Sequence, residues 1–330
     1  MEQEPYKVSI LVPVYGVENY IERCARSLFE QSYQNIEFVF VNDCTKDNGI
    51  KILLKTLEEY PRRRGDFKLI EHKINRGIAA TRNTALAECK GDFFMFVDSD
   101  DWIEHDTVER MVKAQLKYDC DIVTCNYKIY ETKGVCQHKE QLLPTTKEML
   151  KQILDGKGNG RLWGRLIRTS LIKENNIHFV EGANFAEDIM VMSFLWFYAT
   201  NHSDIDDFLY NYERRNTTSY TNSFSIKNSL ESLRNLDETR EFFRIHAPEY
   251  KDSINLLELG KVSGHMCLCC KNRKNKQYYN SELLRRLDVI DKKYWNRIPL
   301  KNRVAIYLRN FELVRIYMKV GGIINQILKK

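Results

Sequence analysis

Phe93-Phe94-Met95-Phe96-Val97-Asp98-Ser99-Asp100-Asp101-Trp102 is the stretch on which the reading of this chain turns. Its first five residues form an apolar run of the length of a buried strand. A strand that ends in three carboxylates within four positions is costly, because like charges this close disfavour joint ionisation. A hard divalent cation removes the cost, since such ions take carboxylate oxygens and share their remaining sites with substrate phosphates. The competing reading is a solvated acidic turn in which Asp101 caps the next helix. The motif alone leaves the two even, and the surrounding chain decides between them.

Outward from that run, the first half of the chain alternates. Val8–Val12, Ile36–Val41, Phe67–Glu71 and Asp121–Asn126 read as further strands, while apolar spacing predicts helices over Tyr20–Gln31, Asp47–Tyr60, Gly77–Cys89 and Thr107–Tyr118. This order predicts an α/β fold with a mostly parallel sheet flanked by helices. Ligands collect at the carboxyl ends of such strands. Here those ends are Pro13-Val14-Tyr15, Asn42-Asp43, His72-Lys73-Ile74-Asn75 and the acidic motif. Gly156 to Gly160 reads as a flexible joint, Thr169–Asn175 and Asp188–Ala199 as helices. From about residue 225 the pattern is helix after helix: Phe224–Ile245, Tyr250–Cys270, Ser281–Tyr294 and Arg303–Val320.

Composition narrows the class. With 330 residues, 43% of them hydrophobic, the chain has material for more than one core. No apolar run approaches the ~20 residues of a spanning helix. The acidic start Met1-Glu2-Gln3-Glu4-Pro5 is not that of a signal peptide. Nine cysteines, an odd number, fit reduced thiols and a cytoplasmic setting, at the inner face of the membrane if the tail touches lipid. Residues 261–330 hold 17 Lys and Arg against 4 Asp and Glu, a net +13, which leaves −7 for the remaining 260 residues of a chain whose total is +6. A basic tail on an acidic body suggests a polyanionic neighbour. No aromatic-basic reading motif points to nucleic acid. The wheel of 300–330 is apolar on both sides, which predicts at most weak peripheral membrane contact.

The first strand is followed by Pro13-Val14-Tyr15-Gly16-Val17, not by a Gly-x-Gly-x-x-Gly loop, and no Gly-Lys-Ser/Thr loop is present. A nucleotide therefore needs another grip on its phosphates, which a metal at Asp98 and Asp100 supplies. At this point the chain resembles the family 2 glycosyltransferases, nucleotide-sugar-dependent enzymes with a GT-A fold. The resemblance rests on Val8 to Tyr15, Val41-Asn42-Asp43-Cys44-Thr45-Lys46-Asp47, Asn75-Arg76-Gly77-Ile78-Ala79-Ala80-Thr81-Arg82-Asn83 and Phe96 to Trp102, in the family's order. It covers residues 6 to about 125 and continues more loosely through Leu162-Trp163-Gly164-Arg165-Leu166 and Glu187-Asp188 to about Ser219. It implies a GT-A domain over 1–222, with a nucleotide-sugar half (1–126) and an acceptor half (127–222), and a helical basic region over 223–330.

The resemblance also implies roles. Pro13 and Tyr15 line the base, and Asp43 reads uracil or ribose. The family usually continues this last element as Asp-Gly-Ser, whereas here it is Asp43-Cys44-Thr45. Asn75, Gly77 and Arg82 lie along the nucleotide, with Arg76 or Arg82 offsetting diphosphate charge or Arg82 pairing with an acid of the body. Asp98 and Asp100, with Ser99 between them, meet Mn²⁺ or Mg²⁺ and the diphosphate. Asp188 is the expected base, and capping of its helix is the plainer alternative. Asp101, Trp163, Glu187 and Arg214 are acceptor or leaving-group candidates. Asp101 has helix capping, Trp163 core packing and Arg214 a solvated loop as the other reading. Asn216-Thr217-Thr218 has the form of a glycosylation acceptor. The expected activity is inverting transfer of a sugar from a nucleotide-sugar, a UDP-sugar by resemblance, to a hydroxyl of a glycan or lipid-linked glycan, as in cell-surface polysaccharide synthesis. The rivals are a catalytically silent nucleotide-binding scaffold and a sugar-1-phosphate nucleotidyltransferase. The latter calls for a Gly-rich loop after the first strand.

Overall fold

Strands β1 (Val8–Val14) and β2 (Ile36–Asn42) bury every one of their residues. That is possible only where both faces of a sheet are covered, which explains why these runs are continuously apolar instead of alternating. The computed structural model describes residues 6–158, 160–216 and 224–327, with 322–327 as backbone. Asn159 of the expected joint, Thr217 and Thr218 of the Asn-x-Thr triplet, and the last three residues of the tail lie outside these.

The helices covering β1 and β2 follow from spacing. In α1 (Ile21–Phe29), Ile21, Cys24, Ala25, Leu28 and Phe29 are buried, one face of a helix. They meet Ile10, Val12, Phe38 and Phe40 in a single core, where Phe29 stands edge-on to Phe38 at 5.3 Å. Each such ring contributes roughly 1.5–3 kcal/mol of burial. In α2 (Gly49–Glu58), Leu53 and Leu57 extend that core. Arg63, 6% exposed, gives its guanidinium to the carbonyls of Phe29, the last residue of α1, and of Gln31, Tyr33 and Gln34 just beyond it.

The remaining elements of the first half are β3 (Phe67–Glu71), α3 (Ile78–Glu88), β4 (Phe93–Phe96), β5 (Trp102–Ile103), α4 (Thr107–Tyr118), β6 (Ile122–Glu131), β7 (Gly134–His138), α5 (Thr146–Leu154), β8 (Arg165–Arg168), α6 (Thr169–Lys173), α7 (Glu187–Tyr198) and β9 (His202–Glu213). The sheet order is β3-β2-β1-β4-β8-β6-β9-β5, with β7 on β6. The four strands β3, β2, β1 and β4 are parallel, as the alternating pattern predicts. β8 then runs antiparallel between β4 and β6, and the long β9 lies parallel to β6 and antiparallel to β5. Val97 still donates to the Leu11 carbonyl, so Asp98 leaves the sheet beside Val12 and Pro13. The acidic motif and the first strand end thus share one rim.

Contacts divide the chain into two compact units, Met1–Leu150 with Gly160–Asn222, and Lys151–Asn159 with Ser223–Lys330. The second is built on α8 (Ile226–His246) and α9 (Lys251–Cys269). Shorter pieces follow: α10 (Lys276–Tyr278), α11 (Leu284–Asp288), α12 (Leu300–Leu308) and α13 (Phe311–Ile327). Two expected helices are each broken. The one read over 281–294 ends at Asp288, and a new 3₁₀ turn starts where Asp291 accepts the Lys293 N–H. The one read over 303–320 is two, because Arg309 takes a left-handed φ of 48° and Asn310 Oδ1 accepts the N–H groups of Glu312 and Leu313. Apolar spacing carries no mark of such a cap. Among the described residues no helix is long and apolar enough to cross a membrane.

Asn310→Ala should cost about 1 kcal/mol of unfolding free energy in urea, the usual worth of a side-chain cap. An unchanged midpoint would mean that the α12–α13 corner is held by packing alone.

Candidate active site

The acidic strand end is a graded set of carboxylates. Asp98 is partly exposed, and its backbone N–H donates to the Tyr210 hydroxyl at 3.2 Å. Ser99 is buried. Asp100 accepts from Asn216 Nδ2 at 2.8 Å, and its carbonyl accepts from Arg23 at 3.1 Å. Burial and the neighbouring Asp98 charge push the Asp100 carboxyl up to about 6. Asp101 is fully buried, accepting from the Tyr210 hydroxyl at 2.6 Å and the Glu213 N–H at 2.7 Å. It is therefore neither a sugar contact nor a helix cap. The β5–β9 pairing, Trp102 opposite Asn211, brings both donors to it.

Behind this rim lies Arg82. Apolar neighbours leave its side chain 7% exposed, and it bridges Asp98 Oδ1 at 3.2 Å and Glu187 Oε1 at 2.5 Å. Phe96 and Phe179 flank the guanidinium at 5.5 and 5.7 Å. Burial opposes its charge, but Asp98, Glu187 and Asp188 outweigh that and hold its pKa above the usual value. So Arg82 pairs with acids of the body and is not an open contact for a diphosphate. Glu187, 7% exposed, is its partner and not an acceptor contact. Burial raises the Glu187 carboxyl, with Arg82 pulling the other way.

Asp188 follows at once in the first turn of α7. It is partly exposed, and its Oδ1 accepts the Ile189 N–H at 2.8 Å. Ala186 precedes the pair in a left-handed conformation, φ 59°, which an alanine adopts at a cost of roughly 1–2 kcal/mol. That kink aims Glu187 inward to Arg82 while Asp188 stays at the surface. The helix terminus favours negative charge there.

The nucleotide-side residues gather at the β1 and β2 ends. Tyr15, 53% exposed, offers an open ring just past β1, and Pro13 pairs with Val41 within the sheet. Asp43 is buried, accepting from the Arg76 N–H, the Gly77 N–H and His72 Nδ1, each at 2.8 Å. Asn75 donates to the Asp43 carbonyl at 3.2 Å. Asp43 thus braces the 75–77 turn, and its oxygens are taken by that turn instead of facing a base. Gly77 has φ 86°, and a Cβ there would meet the Asn184 side chain at 2.4 Å, so only glycine fits.

Three expected contacts sit elsewhere. Trp163 stacks on Tyr210 at 4.5 Å and 14°, with Arg161 over its ring at 4.1 Å. Its ring therefore packs against the core, partly buried. Arg214 pairs with Glu131 of β6 at 2.7 Å, and Arg76 with Glu181 at 2.9 Å. Asn216, Tyr210, His72 and Asn184 were not singled out as site residues. Asn216 reaches Asp100 across 116 positions, and the sequence marks it only as the first residue of the Asn-x-Thr triplet. Among the described residues no three His, Cys, Asp or Glu side chains form a metal cage. Two partly exposed carboxylates, one with its pKa raised by burial and by the other's charge, do suit a hard cation that keeps sites open for phosphate oxygens.

Cys44 occupies φ 58° where a Gly is usual in the resembling family. Cys44→Gly should raise unfolding free energy by about 0.5–1 kcal/mol, since relief of the left-handed strain exceeds the entropy that glycine adds to the unfolded chain. Denaturant melts showing a loss would place a stabilising contact on the thiol.

The model of the family described as glycosyl transferase family 2 matches residues 9–175. The putative glycosyltransferase EpsH of Bacillus subtilis (strain 168) is 36% identical over 178 residues, 52% of this chain and 50% of that protein. Across its first curated relatives the chain spans about half of their length or less. Among solved structures, Staphylococcus aureus TarS 1–349 in complex with UDP-GlcNAc superposes with a TM-score of 0.75 at 21% identity, covering 95% of this chain and 90% of that one. The mannosyltransferase PcManGT from Pyrobaculum calidifontis, in complex with GDP-Man and Mn²⁺, gives 0.56 at 16% identity over 93% and 88% of the two chains. These likenesses bear out the GT-A fold with its helical C-terminal region. With its family model matched over half of its length, the chain belongs to glycosyl transferase family 2.

Proposed function

We propose that this chain transfers a sugar, with inversion, from a UDP-sugar to a hydroxyl of a glycan or lipid-linked glycan, in the cytoplasm. The observation that carries the reading is the Arg82 bridge, which ties a partly exposed acidic strand end to the helix start that bears Asp188. The sugars named with the structural neighbours, UDP-GlcNAc for TarS and GDP-Man for PcManGT, support a nucleotide-sugar donor. The Mn²⁺ of the latter supports a divalent ion. Nine unpaired cysteines suit a reducing compartment.

Asp98 and Asp100 would hold Mn²⁺ or Mg²⁺, and the bound ion would offset the diphosphate charge that grows as the donor bond breaks. Everything else falls to the chain itself. Tyr15 stacks on the base beside Pro13. Asp43 keeps the Asn75–Gly77 turn in place along the nucleotide. Asn216 holds Asp100. Asp188 takes the proton of the acceptor hydroxyl as that oxygen bonds to the anomeric carbon and the carbon–phosphate-oxygen bond opens on the opposite side. Its Oδ1 bond to the Ile189 N–H orients the carboxylate for this task.

The test is Asp188→Asn with Mn²⁺ and a panel of nucleotide-sugars, reading released UDP and, by calorimetry, UDP affinity. Transfer should fall by roughly 10²–10⁴ while UDP affinity stays within about twofold. Near-normal turnover would remove Asp188 from the role. Loss of UDP binding would make it a structural acid.

A further inference from the structure

Over Phe311 to Val320, helix α13 has two apolar faces, and among the described residues only one of them is buried. Phe311 and Val314 point inward, at 2% and 0% exposure. Leu313, Ile316 and Val320 stand outward at 49%, 55% and 49%. Their spacing of three and four residues sets them in one row along the helix, with Tyr317 beside them. Large side chains half in water along one row are costly unless something covers them.

Charge indicates what the cover is. The last 70 residues carry a net +13, and Arg315 and the exposed Lys319 of α13 are among those cations. The one carboxylate in the first three turns of this helix, Glu312, is offset by Arg315 at 3.5 Å, Arg273 at 3.7 Å and Lys276 at 4.0 Å. A second copy of the chain would bring a second +13 against the first, and like charge opposes that pairing. An apolar row flanked by Lys319, on a unit with a large excess of cations, matches the interface of an anionic bilayer, where acyl chains take the row and headgroups take the cations.

We propose that the outward face of α13 is a docking surface for an anionic lipid bilayer. The helix lies in the interface plane; it does not span. This holds whatever sugar the first unit handles, because every residue invoked belongs to the helical unit.

The test is co-sedimentation of the full chain with vesicles of phosphatidylcholine alone and of phosphatidylcholine with phosphatidylserine, at low and high salt. A variant carrying Leu313→Gln, Ile316→Gln and Val320→Gln runs alongside. That variant changes no charge and touches only exposed positions, and circular dichroism with a thermal melt verifies its fold. The wild type should partition onto the anionic vesicles at least about tenfold better than onto neutral ones, less so at high salt, and the variant should lose most of this. Four results would overturn the proposal: no binding by the wild type at low salt, equal binding to neutral vesicles, undiminished binding by the variant, or a concentration-dependent dimer that the variant abolishes.

Discussion

One buried guanidinium holds the proposed catalytic unit together. Arg82 reaches forward to Asp98, at the end of a strand, and sideways to Glu187, at the start of a helix about a hundred positions later in the chain. An arginine stripped of water this completely is affordable only with both carboxylates in place. Taking one partner away strands the rest, at a cost of roughly 3–5 kcal/mol. The constraint works in both directions. It fixes how far the acidic rim stands from the turn that carries Asp188, and it keeps three like charges from pushing the two elements apart.

A second tie secures the rim from the other side. Asp101 is inside the protein although it adjoins two further carboxylates, a placement that raises its pKa through burial and through the charges of Asp100 and Asp98. The Tyr210 hydroxyl and the Glu213 N–H repay part of that cost. Glu213 itself is buried, yet Arg215 and Arg23 hold it down at about 2. The strand that supplies these groups then delivers Asn216 to Asp100. Acids with raised pKa clustered at a strand end are the arrangement expected of a working site and are wasteful as plain structure.

The sequence made the parallel core legible, because runs buried on both faces leave a continuous apolar signature and α1 shows its buried face by spacing alone. The acidic motif was legible as a cost needing an explanation. What stayed hidden was long-range. Nothing local tells that Asp101 points into the protein and Asp98 out of it, since both follow the same strand and only the return of β9 separates them. Arg82 was left open between a ligand and a body acid, and its burial decided it. Trp163 was equally open, and the return of β9 stacks Tyr210 on its ring, a contact no local pattern shows. The break at Arg309 was missed because Asn310 caps by a side-chain bond that hydrophobic periodicity does not register.

The most direct measurement is a double-mutant cycle on the Arg82–Glu187 pair, with Arg82→Met, Glu187→Gln and both together followed by urea unfolding. If the guanidinium is the shared support described here, each single change strands a charge, the double change strands less, and the coupling is about 1.5–3 kcal/mol. Effects that simply add, within about 0.5 kcal/mol, would contradict it and leave the acidic rim and the Asp188 turn as two unconnected features.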